Sequence, residues 1–392
     1  MSRRIDVGYV PLLDAAPLII AAEMGFAAEE GLDLALHREL SWAALRDRLI
    51  WGRYAAAHML APVVIAQSAG IGVGDAALDA LMVLSVNGDM IGAGPALAEA
   101  VAASGGDFLD AAATGRALAA ATAGRPLRLG IPFPLSMHAA LVDYWLAGSG
   151  LTGGVNLITV PPPRMAGAMA AGEIDAFCVG EPWGSIAVEV GAAQLILPGA
   201  AIWEFAPEKV LAMPRAGVEA EPERAAALMR AVWRAARWLG DPTNAMTAAE
   251  LVGGAGYLDV SAEVLERILA GRLVVDSQGR EMRVPRAIEF FAGAASFPWR
   301  SQALWIAEAL AQSMGAQRPR LRAAARASFR ADLFRSVLGP IGADLPGASE
   351  KLEGAMTTQT AVASTLGKLL LGPDRFFDGR VFDPTAADAG PE

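Results

Sequence analysis

Along the chain, short apolar stretches bounded by turn residues alternate with longer ones whose apolar residues recur every three or four positions. The first pattern predicts strands and the second amphipathic helices. "IDVGYV" reads as a strand, with Asp14 as the expected N-cap of the helix "APLIIAAEMGF" and Gly25 as its stop. "LDLALHREL" reads as a second strand, and Ser41 caps the helix "WAALRDRLIWG", closed by Gly52. "AAAHMLAPVVIAQSAG" reads as a short turn and helix, and "ALMVLSVNG" as an apolar strand ending in the turn pair Asn87-Gly88. From Pro95 the chain is Ala-rich and helical, broken at Gly105-Gly106.

The alternation restarts at Leu127. "LRLGIPFP" and "VNLITVPPP" read as strands, each followed by a helix: "MHAALVDYWLAGSG", capped by Ser136 and stopped at Gly148, and "RMAGAMAAG". "EIDAFCVGEPWG" is a strand running into a turn, and "AQLILPGAAIWEFAPEKVLAMPR" crosses back. After about residue 215 helical spacing dominates, until "GPDRFFDGRVFDPTAADAGPE", whose Pro, Gly and Asp content predicts an irregular, partly disordered tail. Two strand-helix blocks followed by helices predict an α/β protein of two lobes with a cleft between them. In such sheets ligands bind where strands end and helices begin.

The 392 residues, 54% of them hydrophobic, exceed one ordinary core, which agrees with two lobes. A formal charge of -10 argues against a surface that coats nucleic acid. The single Cys178 excludes an internal disulfide framework. His37, His58 and His138 lie far apart in sequence without a metal-binding spacing, so neither a metal nor a cofactor is expected. No uninterrupted run of about 18 apolar residues suggests a transmembrane span. Arg3 and Arg4 precede an apolar stretch in the manner of an export signal, but Asp6, Pro11, Asp14 and Pro17 interrupt it, so folded structure is the better reading.

Four residues fall where strands end and helices begin. Trp42 opens the helix after Ser41, His138 lies in the first turn after Ser136, Gly180 follows "IDAFCV", and Lys209 lies on the returning segment. Lys209 stands out because the chain contains three lysines and writes arginine almost everywhere else. Helix N-termini favour anions, and a lysine ammonium is a compact cation with three donors. An imidazole adds a donor and an indole walls off water. Each residue alone has an ordinary structural explanation; together they describe a small-anion cleft. Neither a nucleophile with its base nor an acid/base carboxylate pair stands out, so binding is expected rather than catalysis.

At these residues the chain resembles the nitrate- and bicarbonate-binding proteins of ABC transporters (the NrtA/CmpA type). The blocks that carry the resemblance are "ELSWAALRDRLIWGRYAAAHMLAP", "SMHAALVDYWLAG", "MAAGEIDAFCVGEPW" and "APEKVLAMP". It implies a type II periplasmic-binding-protein fold with extra C-terminal helices. The expected division is residues 1–90 in lobe 1, 91–209 in lobe 2, and 210–392 returning to lobe 1. It also implies that Trp42, His138, Gly180 and Lys209 surround the ligand. Bicarbonate binders of the family place an acidic, metal-coordinating residue at the Lys209 position, so Lys209 implies nitrate or nitrite. One departure stands out: in "NGDMIG", Asp89 falls where the family has an amide, which would set a carboxylate against an anion.

Exported members carry a signal peptide and linker before the first strand, whereas this sequence starts almost at the strand and shows no fused ATPase domain. That combination resembles the cytoplasmic nitrate/nitrite sensors (the NasS type). The resemblance then implies a cytoplasmic sensor with an ANTAR-domain antiterminator (NasT type) as partner, held without ligand and released when the anion binds. Neither a membrane nor a nucleic acid is an expected direct partner. The rival expectation is the receptor subunit of an ABC transporter. Thiamine-pyrimidine synthases share the lobed fold but rely on a Cys-rich motif, which a chain with one cysteine does not match.

Overall fold

A computed structural model describes residues 3–122, 124–151 and 153–386. It contains two five-stranded sheets. In the first, the strands lie in the order Leu32–Arg38, Arg3–Tyr9, Ala56–Leu60, Lys209–Pro214, Leu78–Val83. In the second, the order is Gln194–Pro198, Asp89–Ala93, Ala176–Gly180, Leu127–Ile131, Val155–Thr159. Three neighbouring strands in each sheet are parallel, joined through helices. Within these sheets, Lys209–Pro214 and Asp89–Ala93 run antiparallel to both their neighbours.

Those two strands are where the chain changes lobes. It leaves the first sheet after Val83 and enters the second at Asp89; it leaves the second after Pro198 and re-enters the first at Lys209. The two crossing segments bond to each other. The amide of Leu84 donates to the Lys209 carbonyl (2.7 Å), that of Glu208 to Ser85 (3.0 Å) and that of Asn87 to Ala206 (2.8 Å). The reversal at Asn87-Gly88 needs two consecutive positive φ values, 60° and 106°. An Asn tolerates this conformation and a Gly adopts it without a steric penalty. Asn87 further locks the crossing by donating to the carbonyls of Glu204 (3.1 Å) and Arg286 (3.0 Å). The geometric result is that Lys209 and Asp89, each the first residue of a strand, both emerge beside this double crossing.

Two local readings change. "AAAHMLAPVVIAQSAG" contains a buried central strand, Ala56–Leu60, before its helix Ala61–Ser68. The stretch is apolar apart from His58 and lacks the polar alternation of a half-buried strand, which is why it passes for a helix lead-in. Asp14 caps nothing: helix Ala16–Glu23 starts after Ala15 with no side-chain cap bond. Ser41 and Ser136 do cap, accepting the amides of Ala44 (3.4 Å) and Ala139 (3.2 Å).

After about residue 215 helices dominate up to Ile341, led by Pro222–Leu239 and Arg300–Met314; the latter packs on Ala61–Ser68. The described part of the tail is irregular yet anchored; residues 387–392 lie outside the described residues. Phe376 is buried and stacks on Trp203 (centroids 4.7 Å) and Trp305 (5.8 Å). Asp378 accepts a bond from the Tyr144 hydroxyl at 2.9 Å, and Phe377 meets the Tyr144 ring edge-on. Tyr144 lies on the helix Met137–Ala147 of the second lobe, so the tail joins that lobe to helix Arg300–Met314 of the first. Aromatic burial outweighs the tail's unfavourable composition. Truncation of this anchor, Phe376→Ala, is expected to lower stability by about 3–5 kcal/mol. Urea unfolding measures it, and a loss below about 1 kcal/mol would show that the tail is not part of the cooperative core.

Candidate functional site

The structure brings Trp42, Asp89, His138, Gly180 and Lys209 into one buried cluster. It adds Asp14, His58 and Glu208, which sequence reasoning did not single out as site residues. The Lys209 side chain is wholly buried. Its Nζ lies 2.8 Å from Asp14 Oδ2, 2.8 Å from Glu208 Oε2 and 3.6 Å from Asp89 Oδ1. His138 Nε2 approaches Asp89 Oδ1 at 2.9 Å, and His58 Nε2 approaches Asp14 Oδ1 at 2.8 Å. Trp42 joins through His58, their ring centroids 5.4 Å apart.

Each position follows from local structure. Capping by Ser41 and Ser136 fixes the helix starts that carry Trp42 and His138. Asp14 sits in the turn Leu13–Ala15 between the first strand and its helix. His58 is central in the strand Ala56–Leu60, and Asp89 pairs in register with Gly180. A Cβ on Gly180 would lie 3.0 Å from a Leu12 methyl, 3.5 Å from Asp89 Oδ1 and 3.6 Å from Lys209 Nζ. A hydrogen at this position therefore lets the backbone approach Asp89 and Lys209 without pressing on Leu12.

Burial opposes every charge here, and the partners decide which charges survive. For Lys209, Asp14, Glu208 and Asp89 outweigh burial and hold the ammonium pKa well above its usual value. Burial also pushes Asp14 and Asp89 upward, but Lys209 and His58 for the first, and His138 and Lys209 for the second, bring both below the usual carboxylate range. Glu208 goes the other way: burial and the charge of Asp89 raise it well above the ordinary value, so it keeps its proton. Burial likewise lowers His138, despite Asp89, and leaves the imidazole neutral. Three acids, Asp14, Asp89 and Glu208, thus surround one ammonium, with His58 beside Asp14 and His138 beside Asp89.

The hydrogen bonding is incomplete. Among the described residues, nine of the fifteen buried side-chain polar atoms without a hydrogen-bond partner belong to Asp14, Trp42, His58, Asp89, His138 and Glu208. The histidine-carboxylate pairs have ion-pair distances without hydrogen-bond angles. Such orphaned groups are costly, and their concentration at one point marks a place built for a polar guest. Donor atoms of Asp89, His138 and Glu208 lie within 4.8 Å of one another, a spacing a cation can bridge. The Lys209 ammonium already supplies positive charge there. A groove of about 1390 Å³ lies elsewhere, walled by Tyr144, Trp305 and Phe377, and none of the five predicted residues lines it. The polar cluster, not that groove, concentrates the chemistry.

The sequence carried a signal for the three additions. Each is an ionisable residue in an otherwise apolar run, Asp14 in "PLLDAAPL", His58 in "AAHMLAP" and Glu208 beside Lys209. A lone ionisable group that must be buried needs a partner. His37, by contrast, pairs with Asp6 at 2.6 Å and stacks on Tyr54, apart from the cluster.

Two sheet-bearing lobes joined by a double crossing, with a polar cluster at the join, define a periplasmic-binding-protein fold. The chain belongs to the NMT1-like family, which matches residues 2–253. It is similar to the nitrate/nitrite binding protein NrtA of Synechococcus elongatus, with 28% identity over 391 residues, 97% of this chain and 83% of that one. It is 33% identical over 316 residues to the nitrate import ATP-binding protein NrtC of Synechocystis sp. PCC 6803. That match covers 79% of this chain but 46% of NrtC, about half its length. The crystal structure of the periplasmic nitrate-binding protein NrtA from Synechocystis PCC 6803 superposes with a TM-score of 0.84 at 25% identity, covering 99% of this chain and 97% of that one.

Next to the cluster, Glu181 is buried with its carboxylate accepting from the Ser185 amide and hydroxyl, both at 3.1 Å. Burial raises its pKa from 4.5 to about 7. Because the folded value is the higher one, its stabilising effect is complete below the unfolded pKa and is lost as pH rises through the folded one. Unfolding free energy is therefore expected to contain a decline between about pH 4.5 and 7, on the order of 3 kcal/mol. Glu181→Gln should flatten that decline in denaturant titrations across the range; an unchanged slope would assign it to another group.

Proposed function

We infer that the chain is a receptor for a small inorganic anion, nitrate or nitrite, held between its lobes. The observation that carries this is the wholly buried Lys209 among orphaned donors, the Trp42 indole and the imidazoles of His58 and His138. A planar oxyanion accepts from several directions at once, matching donors that converge from both lobes. The similarity to NrtA along almost the full chain supports the same ligand class.

The finer reading is a cytoplasmic sensor. The anion bridges the lobes and favours one arrangement, and an ANTAR-domain antiterminator that binds the other arrangement is released. The receptor subunit of an ABC transporter is the second reading, favoured by the similarity to NrtA and to the nitrate import protein NrtC. Cell fractionation separates the two: the sensor stays in the cytoplasm and co-purifies with its antiterminator only without anion.

Isothermal calorimetry with nitrate, nitrite and hydrogencarbonate, and chloride as control, tests the shared core. Saturable binding of nitrate or nitrite is expected, with loss of at least a hundredfold in affinity in Lys209→Ala, since a buried charge-assisted contact is removed. Unchanged affinity would sink the assignment of Lys209. Trp42→Ala should weaken binding about tenfold through loss of one donor and of a wall against water; an affinity equal to wild type would return Trp42 to a purely structural place.

A further inference from the structure

The anion reading meets an obstacle in the charges just described. Lys209 carries a positive charge, yet the Asp14 carboxylate and the protonated Glu208 carboxyl lie within 3 Å of its Nζ and the Asp89 carboxylate at 3.6 Å. An anion brought into a fully buried site that already holds the Asp14 and Asp89 carboxylates would face a large Coulomb cost in a medium of low dielectric. Asp89 makes the conflict local, since its carboxylate lies beside both Lys209 and Gly180. It also lies 2.9 Å from His138 Nε2, and neither group's polar atoms have a hydrogen-bond partner.

We propose that the site takes up its anion together with one proton, which the Asp89–His138 pair receives. With the proton aboard, the pair is neutral overall and presents a donor to the anion, where the bare pair presents a carboxylate. The proposal rests on the anion reading and adds the second species that must enter. Every titratable neighbour is compatible with this pair as the acceptor. Lys209 faces it from the start of the returning strand and Glu208 from the crossing just before it, Asp14 from the turn after the first strand, Cys178 from the strand Ala176–Gly180 and Glu181 from just beyond it, while His58 pairs with Asp14. Lys209 is already protonated, and its ammonium beside Asp14 holds that carboxyl ionised. The Glu208 carboxyl and the Cys178 thiol already hold their protons. Glu181 is engaged with Ser185. An approaching anion raises the proton affinity of His138, and Asp89 steadies the resulting imidazolium.

Calorimetric titration of the wild-type chain with nitrate at pH 6, 7 and 8, each in two buffers of different ionisation enthalpy, tests this, with Asp89→Asn alongside. Affinity should fall about tenfold per pH unit as pH rises, the slope set by linkage to one proton. The difference in heat between buffers should report close to one proton taken up per anion. In Asp89→Asn, which restores a neutral amide, the pH dependence should vanish and affinity at pH 8 should exceed wild type. Nitrate binding by the wild type with no pH dependence and no buffer-dependent heat would overturn the proton coupling and leave the anion reading standing. Proton uptake that persists in Asp89→Asn would overturn the assignment to the pair. Absence of nitrate binding by both chains at every pH would overturn the anion reading and this proposal with it. If Asp89→Asn fails to fold, His138→Gln takes its place in the same titrations, and proton uptake that persists there would overturn the assignment to the pair.

Discussion

One ammonium group has to be kept charged in the interior of the protein. Lys209 is wholly buried, and an unpaired charge there would carry a desolvation cost of several kcal/mol. Asp14 arrives from the first strand-helix turn, Glu208 from the crossing segment and Asp89 from the first strand of the other lobe. Three separate parts of the chain must therefore be in place before the lysine is satisfied, and the sheets, crossings and capped helices are what put them there. The same requirement explains why neutral His138 and protonated Glu208 coexist with ionised Asp14 and Asp89: the cluster settles its charge by keeping some groups neutral.

The double crossing converts this local balance into a link between lobes. Asp89 and Lys209 begin the strands that follow the two crossings, whose backbones bond to each other. A guest that alters the ion pairs of Lys209 acts on the hinge itself. The tail adds a second tie far from the cluster, through Phe376 on Trp203 and Trp305 and Tyr144 on Asp378. Tyr144 and His138 share one helix, so the outer tie and the inner cluster grip the same element of the second lobe.

The departure from the resemblance at Asp89 falls inside the buried charge cluster. Asp89 introduces a carboxylate beside the lysine and a histidine. In a solvated cleft this would be a modest perturbation; at this depth it governs which ligands are admissible, because neither charge can be screened by water. The proton coupling proposed for the Asp89–His138 pair follows from this depth of burial.

The sequence by itself determined the strand-helix alternation, the capping serines at 41 and 136, the left-handed turn at Asn87-Gly88, and the oddity of a lone lysine at 209. These are short-range matters, set by side-chain periodicity and by φ preferences of single residues. It misassigned Ala56–Leu60, whose small apolar residues have no period of their own until sheet neighbours on both sides bury them. It gave Asp14 a capping bond that the structure replaces with an ion pair to a residue 195 positions away. Only the tertiary structure decided that Asp14, His58 and Glu208 join the cluster, and that Phe376 holds an otherwise polar tail. Partner choice for a buried charge is settled by which distant groups the fold brings within about 4 Å, since Coulomb attraction in a dry interior depends on separation in space.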